Sequence, residues 1–128
     1  ITLNNGSAPG SASTPTDDIA ISANGSGNIL IQTLSGTGDI TAYADIVSGS
    51  GNVSVLAGQS IVFSGYADIR TSSGTAATNG SIDVVAGTGS ITQSATSVFL
   101  STGAAATARL LAATNVTVGD IVHARLLS

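Results

Sequence analysis

The sequence predicts an all-β protein, a right-handed parallel β-helix (β-solenoid) with about three short strands per coil, four full coils and a partial one. Three observations carry this. The 128 residues contain no Glu, Lys or Cys, and the straight charged side chains that usually cover helix surfaces are therefore missing. Segments of similar pattern recur, "GNILIQTLSGTGDITAYADIVS" from Gly27, "GNVSVLAGQSIVFSGYADIRTS" from Gly51 and "GSIDVVAGTGSITQSATSVFLST" from Gly80, with a fainter copy from Ala108. Internal periods of this length are the mark of repeat architectures. Finally, the tetrapeptide Tyr-Ala-Asp-Ile occurs at Tyr43 and again at Tyr66, as one structural position met on neighbouring coils.

Each copy divides into three alternating runs, a, b and c, bounded by Gly, Asn, Ser or Asp, which is the period of a strand with turn chemistry at its ends. "ITLNN" and "DDIAIS" fit as runs b and c of a partial first copy, with a loop over 6–17 that holds Pro9 and Pro15. Run a then contains Ile29 and Ile31, Val53 and Val55, Ile82 and Val84, and Leu110. Run b contains Ile40, Ile61 with Phe63, Ile91, and Val116 with Val118; run c contains Ile46, Ile69, Val98 with Leu100, and Leu126. The expected core is accordingly Ile29, Ile31, Ile40, Ile46, Val53, Val55, Ile61, Ile69, Ile82, Val84, Ile91 and Val98. The chain reads as one segment, with the partial coil over 1–24 followed by coils over 25–48, 49–79, 80–107 and 108–128. An insertion over 72–79 separates two of them. Stacked about 4.8 Å apart, such coils align equivalent residues in columns, apolar ones inward and Ser, Thr, Asn and Gln outward.

Composition narrows the function classes. Seven Asp against three Arg give a net charge of −4, with no basic stripe for phosphate, so no nucleic-acid partner is expected. No apolar run reaches the length of a spanning helix and no leader opens the chain, so neither membrane insertion nor an export signal of its own is expected. The lack of cysteine removes disulfides and thiolate metal sites and suits an exported protein. The start at Ile1 and the lack of a terminal cap suggest a piece of a longer repeat protein or copies stacked end to end.

Few residues offer chemistry. Asp45 and Asp68, one coil apart, are calcium candidates because that cation collects oxygen ligands. It takes six to eight of them, however, and the simpler reading is turn carboxylates that accept backbone hydrogen bonds and are screened by water. Asp17 and Asp18 read as a turn before a strand. His123, the single histidine, reads as an outward strand residue, since a catalytic one requires a positioned partner. Arg70, Arg109 and Arg125 are scattered, and Arg70 is expected beneath Phe99 in an outward cation–π contact. The glycine-rich turns at Gly25–Asn28 and Gly49–Asn52 precede no helix, and the chain has no lysine for a phosphate loop. Thr41, Thr92 and Thr117 skip Val62 and make no regular threonine face. No catalytic residue, cofactor or metal is predicted.

The stretches Gly51–Gly65, Gly80–Ser94 and Ala113–Ile121 resemble the repeat region of filamentous-haemagglutinin-like exoproteins and related giant bacterial surface adhesins. The resemblance covers roughly residues 27–128 and implies a β-helical shaft without catalytic residues. It lacks the Asn-Pro-Asn motifs of that family's secretion domain, so shaft rather than export signal is implied. The expected function is a structural shaft module of a secreted bacterial surface fibre or adhesin, extracellular or on the cell surface. Its partners would be further coils, copies of itself, or a host or cell-surface glycan or protein. A self-assembling extracellular filament subunit is the alternative, and a carbohydrate-active β-helix enzyme a more distant one.

Overall fold

The structure, a computed structural model, describes residues 1–4, 19–71, 80–101, 105–123 and 126–127. The loop expected over 6–17 and the insertion over 72–79 lie outside these. Fifteen strands follow in chain order: β1 (Thr2–Leu3), β2 (Ile19–Ala23), β3 (Ile29–Gln32), β4 (Ile40–Ala42), β5 (Asp45–Ser48), β6 (Val53–Ala57), β7 (Ile61–Phe63), β8 (Ile69–Thr71), β9 (Ile82–Ala86), β10 (Ile91–Gln93), β11 (Val98–Ser101), β12 (Ala108–Ala112), β13 (Val116–Thr117), β14 (Asp120–His123) and β15 (Leu126–Leu127). Among the described residues they form three five-stranded sheets. Run b builds β1-β4-β7-β10-β13, run c builds β2-β5-β8-β11-β14, and run a builds β3-β6-β9-β12-β15. Every pairing is parallel, and each strand bonds the strand one coil away. Among the described residues the fold is therefore a β-solenoid with three strands per coil and no helix.

Parallel strands buried on one face need a small, branched, interdigitating core, which this composition supplies. The a-sheet stacks Ile29, Val53, Ile82 and Ala108, and beside them Ile31, Val55, Val84 and Leu110. The b-sheet stacks Ile40, Ile61, Ile91 and Val116. The c-sheet stacks Ile21, Ile46, Ile69, Phe99 and Ile121. Ile29, Ile31, Ile40, Ile46, Val53, Val55, Ile61, Ile69, Ile82, Val84 and Ile91 are all buried, as the alternation predicts.

Val98 is not. It lies half buried while Phe99 points inward, fully covered, and packs edge to face on Phe63 with ring centroids 4.8 Å apart and planes at 78°. In "VFLS" three apolar residues are consecutive, so alternation alone does not choose the buried face, and a shift of one residue reverses every side chain. Burying the larger ring against Phe63 decides it. The same shift removes the expected Arg70–Phe99 contact: Arg70 stands in register with Leu100, and its guanidinium turns to Asp68 instead.

Run c of the last full coil also differs. It is β14, placed immediately after run b, whereas Leu126 belongs to β15 and pairs with Ala108 of β12 as the start of a further run a. Only Val118 and Gly119 separate β13 from β14, as only Tyr43 and Ala44 separate β4 from β5, so the chain turns into run c sooner than in the two coils between, where five residues (64–68) and four (94–97) intervene. The column of Asp45 and Asp68 continues through Val98 and Asp120. Arg125 lies outside the described residues.

Candidate functional site

Corners are where a solenoid is most exposed to failure, because the backbone bends there and its ladder is interrupted. Here side chains complete it, and at all three corners one set of bonds runs in the same sense. At the start of run a, the Asn28 Oδ1 accepts from the Asn52 N–H, the Asn52 Oδ1 from the Ser81 N–H, each at 2.8 Å, and the Ser81 Oγ from the Thr107 N–H at 2.9 Å. Before run b, the Asp39 Oδ1 accepts from the Ser60 N–H at 2.9 Å and the Ser60 Oγ from the Ser90 N–H at 3.3 Å. At run c, the Asp45 Oδ1 accepts from the Asp68 N–H at 2.9 Å and the Asp68 Oδ1 from the Val98 N–H at 2.6 Å. Each coil thus offers an oxygen at its corner to the amide of the next, and a buried amide left without a partner would cost about 1–3 kcal/mol.

The twin Asp positions are part of this device. Both are buried, with Asp45 1% and Asp68 5% exposed, so water does not screen them as a surface-turn reading expects. Asp68 is offset by Arg70, whose Nη2 lies 3.1 Å from the second carboxylate oxygen. As calcium candidates they are brought together across one coil step, but the oxygens described here already serve a backbone amide and a guanidinium. No group of three or more metal-ligating side chains occurs among the described residues.

A second polar set lies inside the solenoid. Ser48, Thr71 and Ser101 share one inward column and are fully buried. Ser48 donates to the Gly27 carbonyl at 2.7 Å and accepts from the Gly51 N–H at 2.9 Å, while Thr71 and Ser101 both donate to the Gly80 carbonyl. Buried Gln93 closes the corner between β10 and β11: its Nε2 donates to the Ser97 and Asp120 carbonyls, and its Oε1 accepts from the Gly119 N–H. These polar core residues were missed by reading the columns as aliphatic. The signal was present in the period-2 position of Ser48, Thr71, Ser101 and Gln93. His123 occupies the next register position after Ser101.

On the outside of the a-sheet, one groove of about 330 Å³ lies between two columns, lined by Asn52, Ser81 and Thr107 on one side and Ser54, Asp83 and Arg109 on the other, over buried Ile82. Arg109 bridges coils there, its Nε and Nη2 reaching the two Asp83 oxygens at 2.7 and 2.8 Å. The hydrogen bond and charge of Asp83 raise the guanidinium pKa above its ordinary value. Elsewhere, Thr41, Val62, Thr92 and Thr117 form one outward column of the b-sheet, interrupted at Val62 as the sequence suggests. Asp17 and Asp18 lie outside the described residues.

Comparison with protein-family models, with curated proteins and with solved structures returned no match. What the geometry defines is a class of architecture, a β-solenoid whose corners and core are tied coil to coil.

Proposed function

We propose that this chain is a structural shaft module of a secreted bacterial surface fibre or adhesin, with a mechanical and display role. The observation that carries the reading is the corner ladder. Each of the three corners joins coil to coil by side-chain oxygens as well as by the parallel strands, so load along the axis is shared by many hydrogen bonds around a largely apolar core. Such a unit contacts only its neighbours, and its stability grows by addition of like units. The resemblance of residues 27–128 to adhesin shafts supports the extracellular setting. Electron microscopy of the intact assembly isolated from its natural source tests this: a continuous rod containing this segment is expected, and a compact particle with no rod contradicts it.

A second reading is a filament subunit that stacks end to end, and its contact would fall on Val116, which further coils of the same chain would cover equally. This residue belongs to the inward column of Ile40, Ile61 and Ile91, yet is 42% exposed. Stacking another coil on β13 would cover it. Sedimentation across a concentration series separates the readings, because a subunit would lengthen with concentration and Val116→Asp would abolish the growth.

A further inference from the structure

Seven asparagines occur in the chain, and five of them, Asn5, Asn24, Asn52, Asn79 and Asn115, are followed two residues later by Ser or Thr, with no proline between. Ser and Thr fill 35 of the 128 positions, so composition alone would place one there for about two of the seven. The pattern Asn-x-Ser/Thr is the acceptor signature for N-linked glycosylation. Asn5 and Asn79 lie outside the described residues; Asn24, Asn52 and Asn115 are all exposed.

From these positions we infer that the chain is an N-glycosylation acceptor, with Asn52 its best-formed site. Asn52 and Ser54 flank inward-pointing Val53, so the strand geometry turns both side chains outward, and both line the open groove on the a-sheet. The Asn52 Oδ1 is held by the Ser81 N–H at 2.8 Å. That bond sets the amide so that Nδ2, the atom that takes the sugar, is the one left for the groove. The Ser54 hydroxyl makes no hydrogen bond among the described residues. A sugar on Nδ2 leaves the carbonyl oxygen free to keep its ladder bond, so modification and fold are compatible. Asn115 and Thr117 repeat the arrangement around Val116, at the corner position that Ser60 and Ser90 hold in the coils below.

The transfer requires a separate transferase and a phosphate-activated sugar donor. The Asn52 Nδ2 attacks the anomeric carbon, the N–C bond forms as the bond from that carbon to the phosphate oxygen breaks, and the phosphate-bearing group leaves with the electron pair. The amide proton passes to a base of the transferase. No oxidant or reductant takes part.

The fold supplies its own control. Asn28 stands one coil below Asn52 at the equivalent ladder position, its Oδ1 engaged in the same way by the Asn52 N–H, but two residues on it has exposed Leu30 where Asn52 has Ser54. The experiment is peptide mass spectrometry with site-localising fragmentation on the full chain recovered from the cells that naturally make it. Sugar-mass adducts are expected on Asn52, Asn24 and Asn115 and none on Asn28. Single-sugar increments would indicate a nucleotide-activated donor, and a larger preassembled glycan a lipid-linked one. Ser54→Ala should remove the adduct at Asn52 alone, and Leu30→Ser should create one at Asn28; both substitutions are on the surface, and unchanged circular dichroism verifies that the fold is kept. Unmodified Asn52 in the natural protein, adducts confined to Ser or Thr hydroxyls, or a Ser54→Ala chain still modified at Asn52 would overturn the proposal. It stands apart from the shaft reading, since a glycosylated chain that forms no rod would sink that reading and leave this one.

Discussion

Asp45 shows most plainly what a single residue does in this protein. Its carboxylate lies in a buried corner and accepts the Asp68 amide of the next coil, so the acceptor oxygen matters more than the charge. Asp45→Asn keeps an oxygen in place and is expected to change stability little, whereas Asp45→Ala strands the Asp68 amide and should cost about 1–3 kcal/mol. Urea unfolding midpoints of the two variants check the difference; equal loss would mean that the charge, not the acceptor, is what the corner needs. The two Tyr-Ala-Asp-Ile segments were legible in the sequence as one position seen twice. The burial of their aspartates was not, because a turn carboxylate on the surface and one closing a corner look alike until the neighbouring coil is placed above it.

At the level of strands and corners, glycine marks where coils touch through backbone. Gly51 follows Gly27 one coil on, and a Cβ on Gly51 would fall against the Gly27 carbonyl, well inside van der Waals contact; one on Gly80 would meet the Gly51 carbonyl in the same way. A Cβ on Gly36 would meet nothing. Gly51→Ala should therefore destabilise by about 1–3 kcal/mol, as overpacking does, while Gly36→Ala should be neutral or slightly stabilising; thermal melting compares them. In the core, Phe63→Ala should cost about 3–5 kcal/mol, because Phe63 and Phe99 fill the same volume from adjacent coils. The strands of runs a and b were readable wherever Ile and Val alternate with polar residues. Run c was readable at Ile46 and Ile69 but not at Val98, where "VFLS" offers no alternation, nor in the last coil, where the step from β13 to β14 is shorter than in the two coils before it. The groove was not readable at all, since Asn52, Asp83 and Arg109 come from three separate coils and meet only through register.

For the molecule as a whole, stability rests on columns rather than on any one element, and a charge placed in a column has no escape. Val55 is fully buried between Ile31 and Val84, so Val55→Asp should abolish the cooperative unfolding transition seen by circular dichroism, whereas the same change at outward, half-buried Val62 should leave it in place. The repeat spacing disclosed this architecture because a solenoid writes its register into the sequence, one coil per period. Function was less legible: the surface carries Ser, Thr, Asn and Gly in every coil, and these residues serve turns, ladders and sugar acceptors alike. The central claim is the parallel register of successive coils, and the chain's lack of cysteine allows it to be tested by disulfide formation. Thr41 and Val62 are register partners on the b-sheet and Thr92 lies one coil beyond. Cysteines replacing Thr41 and Val62 should have Cα atoms about 4.8 Å apart, within the 4.4–6.8 Å or so that a disulfide spans, and should oxidise to an intramolecular bond. Cysteines replacing Thr41 and Thr92, two coil steps apart, should remain reduced within the monomer. The reverse result, a bond across the second pair and none across the first, would contradict the account.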